Sequence, residues 1–217
     1  MADETQWTER HRGLDPSSTT FVPSQRVSSP GDAGAAAREL GYPVVLKAEA
    51  DGLIHKSEHR AVRTGLLTGD ELFAAAQDLQ KRLRKQFGEV GLQVQAHAEG
   101  HREVLLGMTR DPRYGPLFAA GLGGVQVELM RDVAVRVGPI DGRDPQEMFA
   151  GLKGAALLGA FRGEPAADLG AAYDALWRLQ RLAQDFAQIA EVEVNPFILA
   201  KRGEASSAVD GRVRVEV

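Results

Sequence analysis

The stretch GYPVVLKAEADGLIHKSEHRAVRTG, Gly41 to Gly65, decides how this chain reads. Val44, Val45, Leu46 and the stem of Lys47 form a short apolar run of strand type, and the run ends in a charge. A polar loop follows, with His55 and Lys56 side by side, and a second strand begins near Val62. Strand, polar loop, strand can fold a cationic flap over an anionic ligand. Lys47, Lys56, Arg60 and Arg63 cluster around this one turn, so a row of phosphates is the most economical ligand. The competing reading of the same residues is a solvated hairpin tip.

Working outward, a helix is expected from Pro30 to about Leu40. Ser29 serves as N-cap, Pro30 as first helical residue, Gly41 as the left-handed stop, and Pro43 bars continuation. After the two strands, Thr68 and Glu71 form a capping box. Leu72, Ala76, Leu79, Leu83 and Phe87 then mark one face of a helix that ends before Gly88. Leu92–Ala96 reads as a strand. Helix, strand, strand, helix, strand make one small α/β lobe. Beyond it, Glu103–Met108, Leu117–Ala120, Val125–Leu129 and Val133–Val137 are short β-like runs divided by Asp-Pro, Gly-Pro and Gly-Gly signals, which suggests a mainly antiparallel sheet. Asp144-Pro145 starts a helix in a region that Gly151, Gly154 and Gly159 weaken. A stronger helix spans about Asp168 to Phe186, with Leu169, Ala172, Tyr173, Leu176, Leu179, Ala183 and Phe186 on its buried face. Met1 to about Pro23 is polar and aperiodic, a loose tail that Trp7 or Phe21 could pin. The expected division is a flexible tail over 1–24, a first lobe over 25–97 and a second over 98–217.

The second constellation lies near the C-terminus. Glu191-Val192-Glu193-Val194-Asn195-Pro196 alternates, with valines on one face and Glu193 and Asn195 on the other. Arg202-Gly203 is the best turn apex. A hairpin centred there opposes Asn195 to Asp210, and directly opposed residues share a face with Cβ atoms about 5 Å apart. Glu193, Asn195 and Asp210 then converge as hard oxygen donors with no histidine or cysteine among them. Such a set suits Mg²⁺ held partly by protein and partly by nucleotide phosphates. The alternative is the solvated polar face of an edge hairpin.

Other candidates read less sharply. Gly121-Leu122-Gly123-Gly124 joins two strands, which is the wrong context for a dinucleotide or P-loop motif, so it reads as a tight turn whose amides could meet an anion. Gln93, Gln95 and Glu103 bracket the junction of the lobes, where an adenine or ribose contact and plain sheet pairing explain them equally well. His59, His97 and His101 lack metal spacing and read as surface residues. Glu128 faces either the site or the solvent.

The totals exclude whole classes. With 217 residues, 43% hydrophobic and 26% charged, the chain is ordinary globular protein, large enough for a core without staples. No cysteine is present, which excludes disulfides, thiolate metal sites and a cysteine nucleophile and fits a reducing, cytoplasmic setting. A net charge of −4 argues against nucleic acid as partner, and Lys81-Arg82-Leu83-Arg84-Lys85 is the wet face of a helix. No apolar run is long enough to span a membrane, and the N-terminus lacks a secretory signal.

Five segments in order resemble the ATP-grasp domain of the ADP-forming (NDP-forming) acetyl-CoA and acyl-CoA synthetases, relatives of the succinyl-CoA synthetase β subunit: GYPVVLKAEADGLIHKSE, VQAHAEGHREVLLGMTRDPRYGP, GLGGVQVELMRDVAVRVGPI, AEVEVNPF and AVDGR. The resemblance covers roughly Gln25 to Val217. It implies an α/β (α+β) ATP-grasp fold, two α/β lobes with ATP gripped between them. It implies that Lys47 meets the ATP phosphates, and the cationic turn read above adds Lys56 as a second phosphate contact. Gln95 would hold the adenine, with Glu103 kept as a nucleotide contact from the reading of the junction, and Asn195 and Asp210 would ligate Mg²⁺. Glu193 falls on the acidic position beside phosphoryl transfer, and His55 resembles a loop histidine that relays phosphate. The cofactors implied are ATP/ADP and Mg²⁺. The partner implied is a CoA-binding α-like subunit or domain, through which CoA and a small carboxylic acid enter.

The chain also departs from that pattern. Arg60-Ala61 stands where the family usually has Gly-Gly, the polar tail replaces an opening helical segment, and lobes for CoA and for the main phosphohistidine are not among these residues. The first expectation is therefore the β-like, ATP-binding part of an ADP-forming acyl-CoA synthetase, inactive without its partner. The second is a degenerate ATP-grasp module with a regulatory or scaffolding role. The third is an ATP-grasp ligase of another substrate class.

Overall fold

The computed structural model of the chain describes residues 19–53, 59–98, 100, 102–124, 132–160 and 163–216. The chain divides into two compact units, residues 22–98 and residues 99–217 together with the stretch up to Phe21. The end of the expected loose tail is a strand, β1 (Thr19–Phe21), which belongs to the larger unit and pairs in parallel with residues 206–208. Short side chains alone made Thr19 and Thr20 read as loop. As β-branched residues they suit a strand once a partner edge is available.

The smaller unit runs β2 (Ser24–Val27), α1 (Pro30–Leu40), β3 (Val44–Glu49), β4 (Val62–Leu66), α2 (Gly69–Phe87) and β5 (Gly91–Ala96). Its antiparallel sheet has the order β2-β5-β3-β4. The helices form where the caps direct them. Ser29 Oγ accepts from the Asp32 amide, and Gly41 ends α1 at φ +82°. Thr68 Oγ1 accepts from the Glu71 amide at 3.3 Å, while Glu71 returns a carboxylate oxygen to the Leu67 amide at 2.8 Å. Both helices cover one face of the sheet. Val44, Leu46, Ala48, Leu92 and Val94 meet Ala33, Ala36 and Ala37 of α1 and Leu72, Ala76, Leu79 and Leu83 of α2. β3 does not end at Lys47, as its apolar run suggested. Pairing with β5 carries it on to Glu49, opposite Gly91, and leaves Lys47 inside the strand.

The larger unit adds β6 (Arg102–Asp111), β7 (Gly115–Leu122), β8 (Val133–Val137), α3 (Asp144–Ala150), a 3-10 turn (Ala155–Leu158), α4 (Leu169–Asp185), β9 (Ile189–Leu199), β10 (Ser206–Ala208) and β11 (Gly211–Val215). Among the described residues its sheet has seven strands in the path β1-β10-β9-β6-β7-β8, with β11 also on β9. All pairs but β1–β10 are antiparallel. The strand expected at Val125–Leu129 lies outside the described residues. Val104, Leu106 and Met108 of β6, Phe118 of β7 and Phe197 of β9 pack under Phe149 of α3 and Leu176 and Leu179 of α4.

Two polar anchors join these layers. Arg110 of β6 donates to the carbonyls of Ala183 (2.8 Å) and Ile189 (3.2 Å), closing the C-terminal end of α4. Asp132, itself buried, accepts from the Lys153 (3.0 Å) and Gly154 (2.8 Å) amides. That carboxylate holds the glycine-weakened segment, where helix gives way to a 3-10 turn. Phe186, expected on the buried face of α4, is instead 46% exposed, because the helix stops at Asp185 and Phe186 leaves its register. Among the described residues no helix is long and apolar enough to cross a membrane.

Candidate functional site

The smaller unit carries one group of candidate residues. β3 is central in its sheet, and its residues alternate between the helix-covered face and the opposite one. Lys47 opposes Gln93 of β5 and Val62 of β4, and Val45 opposes Gln95. Opposed residues share a face, so Lys47, Gln93 and Gln95 stand together on the face away from α1 and α2. Ser24 and Arg26 of β2 join them, opposite Gln95 and Gln93. Gln93 Nε2 donates to Ser24 Oγ at 2.9 Å, and Arg26 pairs with Glu49 at 3.0 Å.

Lys47 is 2% exposed and Gln95 3% exposed. The competing reading, a solvated hairpin tip, does not hold for Lys47. A lysine is almost never this buried unless its ammonium is held by polar partners. His55 and Lys56 lie outside the described residues. So do His101 and Glu128. His97 is exposed, and His59 rests edge-on against Phe87 with ring centroids 5.0 Å apart.

The larger unit carries the acidic candidates. The register between β9 and the chain after it is constant from Ser207 to Arg214: Ala208 opposes Phe197, Gly211 opposes Val194, and Arg212 opposes Glu193. The same register puts Asp210 opposite Asn195. There the Asn195 amide donates to the Asp210 carbonyl at 3.1 Å, and the Val209 amide to the Pro196 carbonyl at 3.1 Å. The hairpin pairing read from Arg202-Gly203 is therefore the pairing observed. On the other edge of β9 the register slips. Val104 opposes Phe197 but Leu106 opposes Val194, so β9 carries one extra residue at Asn195-Pro196. Such a bulge re-aims side chains next to it.

Glu193, Asn195 and Asp210 are all half-buried. Asn195 Oδ1 accepts from the Gly124 amide at 3.4 Å. Gly124 has φ +62°, and an added Cβ there would sit 1.9 Å from a carboxylate oxygen of Glu103. Gly123 donates to the Glu103 carbonyl at 2.7 Å, and a Cβ at Gly123 would lie 2.6 Å from the Val104 nitrogen. The glycine pair thus brings Glu103 and Asn195 against one backbone turn. Sequence reading took these glycines for a turn and missed that role. The only signal was the run of small residues between two strands. It also missed Arg212, which opposes Glu193 while its guanidinium lies 4.0 Å from Glu191.

Among the described residues no three His, Cys, Asp or Glu side chains are arranged to hold a metal. One carboxylate and one amide oxygen, Asp210 and Asn195, are a partial donor set. That fits a small hard cation that keeps several waters and takes further oxygens from a phosphate. It does not fit a softer metal, which would want nitrogen or sulfur.

Comparison with known proteins follows the same lines. A family model described as an ATP-grasp domain matches residues 12–215. The β subunit of acetate–CoA ligase (ADP-forming) II of Pyrococcus furiosus is 32% identical over 181 residues, covering 82% of this chain and 77% of that subunit. Acetate–CoA ligase (ADP-forming) I of Archaeoglobus fulgidus is 36% identical over 172 residues, 78% of this chain but 25% of that protein. The chain therefore spans about a quarter of the length of that relative. Dinucleotide-forming acetyl-coenzyme A synthetase 1 of Ca. Korarchaeum cryptofilum, solved with coenzyme A, Ca-AMPCP and HgCl+, matches with a TM-score of 0.84 at 33% identity, over 91% of this chain and 86% of that one. The same enzyme with coenzyme A and Mg-AMPPCP matches with a TM-score of 0.75 at 31% identity, over 98% and 91% of the two chains.

Proposed function

Because the chain belongs to the ATP-grasp domain family, as a homologue of the β subunits of ADP-forming acetate–CoA ligases, we propose that it is the nucleotide-binding part of an ADP-forming acyl-CoA synthetase. The full reaction is ATP, a small carboxylic acid and CoA going to ADP, phosphate and acyl-CoA. This chain's share is phosphoryl transfer. The bond between the γ-phosphorus and the ADP oxygen breaks, and a new one forms to a histidine nitrogen on a CoA-binding, α-like partner.

The observation that carries the reading is the register that sets Asp210 opposite Asn195, two residues from Glu193. Asn195 and Asp210 would hold Mg²⁺, which when bound neutralises phosphate charge. Lys47 would contact the phosphates, and Lys56 would add a second cation. Gln95 and Glu103 would orient the nucleoside end. Glu193 would stand beside the transferred group, and His55 would pass phosphate between sites. A cytoplasmic setting goes with this reading, since a chain without cysteine makes no demand on an oxidising compartment.

The degenerate-module reading drew its support from Arg60-Ala61 in place of two glycines and from the polar tail. Arg60 takes φ +48°, a backbone region that glycine adopts without steric cost. Reconstitution tests the proposal. The chain alone should form no acyl-CoA from ATP, CoA and acetate, and should do so with a CoA-binding partner subunit. Acyl-CoA synthesis by the chain alone contradicts the two-part reading. A nucleotide-bound chain that stays inert with every such partner favours a regulatory module.

A further inference from the structure

The turn His59–Ala61 is held from several sides. Arg60 occupies the left-handed region, at φ +48°, that L residues other than glycine avoid. Arg82 of α2 donates one guanidinium nitrogen to the His59 carbonyl and another to the Arg60 carbonyl, both at 2.8 Å. Arg63 of β4 donates to the same Arg60 carbonyl at 2.8 Å and pairs with Asp78 at 2.9 Å. The Arg60 carbonyl thus fills both its lone pairs with charged donors. The His59 ring lies edge-on to Phe87. Ala61 is fully buried, and its carbonyl accepts from the Ala48 amide at 2.8 Å, one residue after Lys47.

We infer that Arg82 is a positioning residue: by spanning two successive carbonyls it holds a non-glycine residue in a glycine-type backbone conformation, and so keeps the turn seated on β3 beside Lys47. A fork of fixed geometry is what this needs. Lysine offers one point charge and cannot take both carbonyls in the same way. Ala61 completes the seat, since its methyl group is part of the core that glycine would leave unfilled. The consequence for nucleotide binding rests on the proposed role of Lys47. The clamp itself does not.

Amide hydrogen exchange at Ala48, measured on the full chain, decides it. Arg82→Ala removes two charge-assisted hydrogen bonds and should speed exchange there by at least about tenfold, the effect of losing one. In the Arg60→Gly background the same substitution should do much less, because glycine adopts this conformation without the steric cost that the clamp offsets. Unchanged exchange in Arg82→Ala, or equal acceleration in both backgrounds, overturns the inference. If Arg82→Ala does not fold, Arg82→Lys is compared in the two backgrounds and judged by the same two outcomes. Titration with Mg-ATP separates this inference from the proposed function. Weaker binding by Arg82→Ala supports both. Accelerated exchange with unchanged binding keeps the clamp and counts against Lys47 as a phosphate contact.

Discussion

A lysine ammonium taken out of water costs several kcal/mol unless polar groups hold it. Lys47 is that case, 2% exposed inside a sheet and engaged with another group. Its candidacy was legible in the sequence, because a charge directly after Val-Val-Leu is unusual within a strand. Its burial was not legible, because nothing local says that β5 continues to pair as far as Glu49. Lys47→Met keeps the stem and removes the charge. ATP binding should weaken by about 10- to 150-fold, the range of one charge-assisted contact, when followed by calorimetry. A variant that melts far below the parent yet binds ATP equally well marks a structural lysine instead.

Elements were legible where capping and turn chemistry are local. Ser29, Thr68, Gly41 and Gly88 bound α1 and α2 where their residue types indicate, and Arg202-Gly203 set the register of β9 against β10 and β11. What stayed hidden depends on partners distant in sequence. The extra residue at Asn195-Pro196 exists only relative to β6, and β1 only relative to β10. The long-range anchors were equally silent. Arg110 joins β6 to the end of α4, so Arg110→Ala should leave carbonyls of Ala183 and Ile189 without this donor. A loss of about 2–3 kcal/mol in denaturant unfolding is expected, with Arg110→Lys recovering only part. Asp132→Ala should cost a similar amount, because two buried-side amides, of Lys153 and Gly154, lose a carboxylate. Unfolding curves that superpose on the parent's would show these contacts to be incidental.

For the whole molecule, family membership was legible from five ordered segments, each weak alone, and the ATP-grasp match over residues 12–215 agrees with it. The pairing of Asn195 with Asp210 was legible through strand alternation and one turn. The cationic cluster was read around the turn between β3 and β4, and His55 and Lys56 lie outside the described residues. The central claim is that this chain binds a nucleotide with a divalent cation held at Asn195 and Asp210. The most direct measurement is calorimetric titration of the chain and of Asp210→Ala with ATP, each with Mg²⁺ and with chelator. The parent should bind Mg-ATP more tightly than ATP alone, and Asp210→Ala should weaken Mg-ATP binding by about 10- to 150-fold while leaving metal-free ATP binding near the parent's. Mg-ATP binding by Asp210→Ala as tight as the parent's would contradict the account.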